Sequence, residues 1–225
     1  STSSVVWISA VTRPTCARSL LRASIGFGRR SRGSTRRTTP ASTGAATTGG
    51  HVWFESLYER VALMRLDRDP RVAAISSQPM WIYWAGTARS HVPDFFVRFR
   101  DGSAAVVDVK PMARIEPEDA EAFDWTSILC RELGWDYFVV HDVSESEGRN
   151  LRFLSGYRYE RWRDSAAVEI VHSHAGESSR LSEWASLLEG VAPQPLGAVY
   201  SALWWRDLLF DPSRHLSLTT VAKAA

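Results

Sequence analysis

The chain has 225 residues and 25.2 kDa, with 27 Lys and Arg against 25 Asp and Glu, a formal charge of +2. At 44% hydrophobic and 11% aromatic it is too apolar for a disordered chain, and no run approaches the roughly 18 uninterrupted apolar residues of a membrane-spanning helix. Two distant cysteines, Cys16 and Cys130, make neither a disulfide framework nor a zinc spacing, and a reducing, cytoplasmic compartment is the expectation.

The small net charge joins two unlike parts. Residues 1–50 hold eight Arg and no acid, a local charge of +8, which leaves 19 basic against 25 acidic groups, or −6, in the remainder. This first segment is rich in Ser, Thr, Gly and Arg and lacks an apolar period, so it reads as a disordered, dispensable tail. An arm on nucleic-acid phosphates, a targeting peptide and a non-native segment from a misassigned upstream start are the alternatives.

Regular structure is expected from His51. Phe54, Leu57, Tyr58, Val61 and Met64 form a helical stripe that ends near Asp69-Pro70. Short β-type runs follow at 72–76, 80–84, 95–99 and 104–109, then a helix at 117–133 stopped by Gly134, and a buried strand at 137–140. The order α-β-β-β-β-α-β predicts a mixed α/β domain over 51–142. In 143–225, a polar loop (144–148) and a basic-aromatic stretch (152–163) precede helical patterns at 182–189 and 196–210 and an alternating strand at 216–221. That arrangement suits a winged-helix-like domain that binds DNA or a partner. The pair His172 and His174 reads as a surface loop, and Cys130 as a small buried residue.

The chemistry concentrates in His91-Val92-Pro93-Asp94 and Asp108-Val109-Lys110, flanking Asp101-Gly102. A three-residue loop, 100–102, with Gly102 in the left-handed region, pairs Phe99 with Ser103 and Asp94 with Asp108. Asp94, Asp108 and Lys110 then share one face, because strand side chains alternate. Two facing carboxylates repel unless a cation lies between them, and an all-oxygen donor set favours Mg²⁺ or Mn²⁺. Such an ion holds a phosphate and activates water, and Lys110 would orient that water. Lys110 and Lys223 are the only lysines, so an interior lysine invites a chemical explanation. Glu55 and Glu59, one turn apart on the preceding helix, could each add a further acid.

These residues, with Trp53-Phe54-Glu55-Ser56-Leu57-Tyr58-Glu59, Leu66 to Val72, Gln78-Pro79, Phe95 and Val107, resemble the TnsA-like endonuclease subunit of heteromeric transposases. That family belongs to the PD-(D/E)xK, restriction-endonuclease-like superfamily. The resemblance covers 51–142 and, more loosely, the C-terminal part. It implies a mixed sheet flanked by helices and Mg²⁺-dependent hydrolysis at the 5′ ends of a transposon. Its catalytic residues would be Glu59, Asp94, Asp108 and Lys110, the three acids holding metal, with Gln78 and Glu55 supporting. Some family members carry Gln at the Asp108 position. The implied partners are DNA, a DDE-type transposase that cuts the other strand, and an AAA+ ATPase regulator. A stand-alone restriction or repair nuclease and a catalytically silent DNA-binding scaffold are the competing readings.

Overall fold

The computed structural model describes residues 23–27, 41–45, 47 and 50–225. Its contacts divide the chain into two units, one running to Ala62 and resuming over Arg71–Asp142, the other made of Leu63–Pro70 and Val143–Ala225. The chain passes between the units after Ala62, after Pro70 and after Asp142.

In the first unit, β1 (Ala23–Phe27), β2 (Ala41–Ala45) and β3 (Gly50–Phe54) precede α1 (Leu57–Arg68). Then come β4 (Val72–Ser77), β5 (Met80–Trp84), β6 (Ser90–His91), β7 (Phe95–Phe99), β8 (Ala104–Val109), α2 (Pro117–Glu132) and β9 (Asp136–Val140). The main sheet has the order β4-β7-β8-β9, antiparallel except for the parallel pair β8 and β9. α2 makes the crossover that a parallel pair requires. Its start is fixed by Pro117 in the first turn and by a reciprocal box between Glu116 and Asp119.

β1 pairs with β5, and β2 with β3. Those two strands correct the expectation of disorder for part of the segment 1–50. Their Ser- and Gly-containing sequences form ladders with neighbouring strands that their own apolar content does not announce. Apart from Thr47 and Gly50, the rest of that tail lies outside the described residues.

Phe95, Val97, Ala105, Val106 and Val107 are at most 1% exposed, so the central strands are covered on both faces. Met80, Ile82 and Trp84 of β5 pack with Phe96, Trp125, Leu129 and Trp135. The Ser56 hydroxyl accepts from Glu59 N at 3.1 Å and starts α1. The helical stripe needs correction at its start: Leu57 is 70% exposed, and the buried run is Val61 to Met64 with Leu66.

The second unit holds α3 (Glu145–Leu154), α4 (Ser165–Ser173), β10 (Ser178–Arg180), α5 (Leu181–Leu187), α6 (Pro195–Trp205), β11 (Leu208–Leu209) and β12 (Val221–Ala224). The three strands form an antiparallel sheet in the order β10-β12-β11. Four helices with this sheet exceed the two helices and one strand expected. Ser144 and Asp164 cap α3 and α4, so the supposed polar loop opens a helix, and His172 lies on α4. Residues 216–220 do not form the expected strand, which begins at Val221. Arg68, at the end of α1, donates to the carbonyls of Leu203 (2.8 and 3.1 Å) and Trp204 (3.2 Å) in the last turn of α6. This satisfies carbonyls a helix end leaves unpaired. Burial, and then the Arg206 charge, brings the Arg68 guanidinium down to about 10. Among the described residues no helix is long and apolar enough to cross a membrane.

Candidate active site

β7 and β8 meet in the register that pairs Phe95 with Val107 and Arg98 with Ala104. The loop is therefore 100–102, closed by Phe99 N to Ser103 O at 2.9 Å, with Gly102 at a φ of 90°. Asp101 accepts from the Ser103 amide (2.9 Å) and hydroxyl (2.7 Å), an Asx turn that fixes the bend. The same register sets Asp94 across from Asp108. There, side chains take over from the backbone ladder. Val109 N donates to Asp94 Oδ2 at 2.7 Å, and Asp94 N lies 3.3 Å from Asp108 Oδ1.

Four acids meet at this end of the hairpin. Burial pushes the Asp94 carboxyl well above the usual carboxylate range. The negative charges of Asp108, Glu59 and Glu55 push it further, against a smaller opposing effect of the Val109 amide. Glu59 accepts from the Glu55 backbone amide at 2.7 Å, so the same carboxylate also ties down the start of α1. Glu55 in turn accepts at Oε1 from Gln78 Nε2 at 2.8 Å. Gln78 sits at the turn between β4 and β5 with a φ of 45°, and its amide donates to Asp94 O at 2.9 Å. One residue thus touches both Glu55 and the Asp94 backbone. Beside it, His51, Val52 and Trp53 of β3 face residues 75–79 across an open groove of about 430 Å³.

Asp108 and Lys110 each have protein partners of their own. Asp108 is 2% exposed, and its Oδ2 accepts from His91 Nε2 at 2.9 Å and from the Tyr137 hydroxyl at 2.5 Å. Burial and the Asp108 charge push the Tyr137 hydroxyl well above its ordinary value, so it stays a donor. Burial likewise takes the Cys130 thiol up to about 12, with Asp108 adding to it. Lys110 Nζ lies 3.0 and 2.9 Å from the two oxygens of Asp119, at the start of α2. Sequence reasoning missed Tyr137 and Asp119, and quoted His91 beside Asp94 without its bond to Asp108. The parallel register explains Tyr137: Asp108 pairs with Val139, and Tyr137 lies two residues before it on the same face.

Among the described residues no three His, Cys, Asp or Glu side chains form a ready-made ligand set. The donor chemistry nevertheless fits a hard divalent ion. Asp94 is held against three like charges, and Mg²⁺ commonly takes one or two carboxylates while keeping several waters.

The fold is a mixed sheet flanked by helices, with Asp94, Asp108 and the helix-borne Glu59 near one hairpin end. Residues 69–142 match the family described as TnsA-like endonuclease N terminal. The match points to a nuclease role in Tn7-like transposition. It begins at Asp69, so Glu55 and Glu59 lie upstream of the matched residues. No curated protein matches the chain.

Proposed function

We propose that the chain is a metal-dependent DNA endonuclease that hydrolyses a phosphodiester at the 5′ ends of a transposon, as the nicking subunit of a heteromeric transposase. The single observation that carries this reading is Asp94, half-buried at the hairpin end with Asp108, Glu59 and Glu55 raising its proton affinity, in a stretch that matches a TnsA-like endonuclease family. Asp94 and Glu59 would hold Mg²⁺, or Mn²⁺ in its place, and the ion supplies charge for the phosphate and acidifies a bound water. Lys110 orients the attacking water and offsets charge on the phosphate, while Asp119 fixes the ammonium. The water oxygen attacks phosphorus, and the bond to the leaving sugar oxygen breaks. Gln78 holds Glu55 and the Asp94 backbone in place.

The partners of this reading are DNA, a DDE-type transposase for the second strand and an AAA+ ATPase regulator. The second unit is the part assigned to partner or DNA contact. The test is nicking of a transposon-end plasmid by the full chain in Mg²⁺, with and without the transposase. Nicking that depends on Mg²⁺ and disappears in Asp94→Asn is the expected result, and an Asp94→Asn protein that still nicks overturns the reading.

A further inference from the structure

We propose that Asp108 is a buried support of Asp94 and not a ligand of the ion, and that His91 and Tyr137 are positioning residues acting through it. The inference rests on the nuclease reading and refines it.

The (D/E) of a (D/E)xK motif is expected to turn its carboxylate to the metal. Here both oxygens of Asp108 are engaged by the protein, in a side chain that is 2% exposed. Oδ2 takes two donors, His91 Nε2 at 2.9 Å and the Tyr137 hydroxyl at 2.5 Å, and Oδ1 faces Asp94 N at 3.3 Å. A carboxylate accepts only, so His91 Nε2 carries the proton in this bond. Swinging Asp108 onto an ion would strip the half-buried Tyr137 hydroxyl of this acceptor, a costly loss inside a protein.

The network leads to Asp94. Asp108 meets its backbone amide, and the next residue, Val109, donates to its Oδ2 at 2.7 Å. Asp94 is therefore clasped from two adjacent positions of β8, one rung beyond the last backbone pair, Phe95 with Val107. His91 precedes Asp94 by three residues, and Tyr137 comes from β9. Two elements thus lock the partner that locks Asp94.

Calorimetric titration of the full chain with Mn²⁺ tests this directly. Asp108→Asn is expected to keep the ion affinity within about tenfold, because the amide oxygen still accepts from Asp94 N, whereas Asp94→Asn removes the isotherm. In nicking kinetics, Tyr137→Phe and His91→Ala are expected to lower kcat about tenfold with KM and Mn²⁺ affinity unchanged. His91→Gln, whose Nε2–H can donate to the same oxygen, restores the rate. An Asp108→Asn protein that remains folded by circular dichroism yet loses Mn²⁺ as completely as Asp94→Asn overturns the inference and leaves the nuclease reading standing. A wild-type chain that takes up no Mn²⁺ removes both. If Asp108→Asn does not fold, Tyr137→Phe decides, because a wild-type kcat there overturns the positioning role.

Discussion

Gln78 donates its side-chain amide to Glu55 at 2.8 Å from a backbone held at a φ of 45°. A non-glycine residue pays strain there, and the proline that follows restricts the position further. Its own amide is spent on Asp94 O at 2.9 Å, so the strained turn joins the helix acid to the hairpin acid. The strain and the side-chain bond separate by mutation. Gln78→Ala keeps the strain and loses the bond, whereas Gln78→Gly loses both. Gln78→Gly is expected to melt about 2–4 °C above Gln78→Ala, from ~1 kcal/mol of backbone relief. Both are expected to nick DNA equally slowly. Thermal unfolding beside nicking rates checks the pair.

Asp94 should cost the fold stability when no ion is present. Its carboxyl binds a proton more tightly in the folded chain than in the unfolded one, chiefly through burial and then through Asp108. The ionised form is therefore penalised above the unfolded value, and stability returns as pH falls through the raised folded value. Asp94→Asn is expected to raise Tm by about 2–4 °C or more at pH 7 in a chelator, on the scale of ~1 kcal/mol or more. The gap should narrow as pH falls, and Mg²⁺ should stabilise only the wild type. Differential scanning calorimetry at several pH values, with chelator or with Mg²⁺, measures all three outcomes.

The parts of this site that local rules govern were legible in the sequence. Gly102 and the alternation of 95–99 with 104–109 set the register, and with it the pairing of Asp94 with Asp108. The apolar stripe through Val61 and Met64 marked the helix that carries Glu59. Long-range chemistry was less legible. Neither Tyr137 on Asp108 nor Asp119 on Lys110 follows from spacing, because each bond depends on how α2 and β9 return to the sheet. The acid count suggested a shared cation site, but only the bonds to His91 and Tyr137 separate Asp108 from Asp94. In the second unit, α3 and α4 open on polar caps, Ser144 and Asp164, and are only ten and nine residues long, so the polar opening of each reads as a loop. β1 and β2 escaped notice for a related reason: their partners supply the ladder.

Arg68 makes a prediction about the second unit alone. Its guanidinium spans the carbonyls of Leu203 and Trp204 at the end of α6. Removing it leaves buried acceptors unpaired, so Arg68→Met is expected to destabilise the fold by about 2–4 kcal/mol. Arg68→Lys should recover little, because a single ammonium cannot reproduce the planar fork. Urea unfolding of the two variants provides the comparison, and a Lys variant as stable as wild type would mean that charge alone, not geometry, matters there.

Asp119 is the last residue whose role can be isolated. It holds Lys110 through both oxygens, at 3.0 and 2.9 Å, and also accepts from Glu116 N at 2.9 Å in the first turn of α2. Either bond could make it matter, and the two predict different kinetics. If Asp119 acts through Lys110, Asp119→Asn slows single-turnover nicking about tenfold while DNA affinity stays put. Lys110→Ala slows it far more, and the double variant is no slower than Lys110→Ala alone, because the group that Asp119 positions has already gone. If Asp119 matters only as a cap, the two losses add, and the Asp119→Asn loss tracks a fall in stability of about 0.5–2 kcal/mol. The pair is about a quarter exposed on each side, 27% and 26%, so its direct contribution to stability is small. A rate loss without a Tm change, absent in the Lys110→Ala background, therefore assigns Asp119 to the lysine.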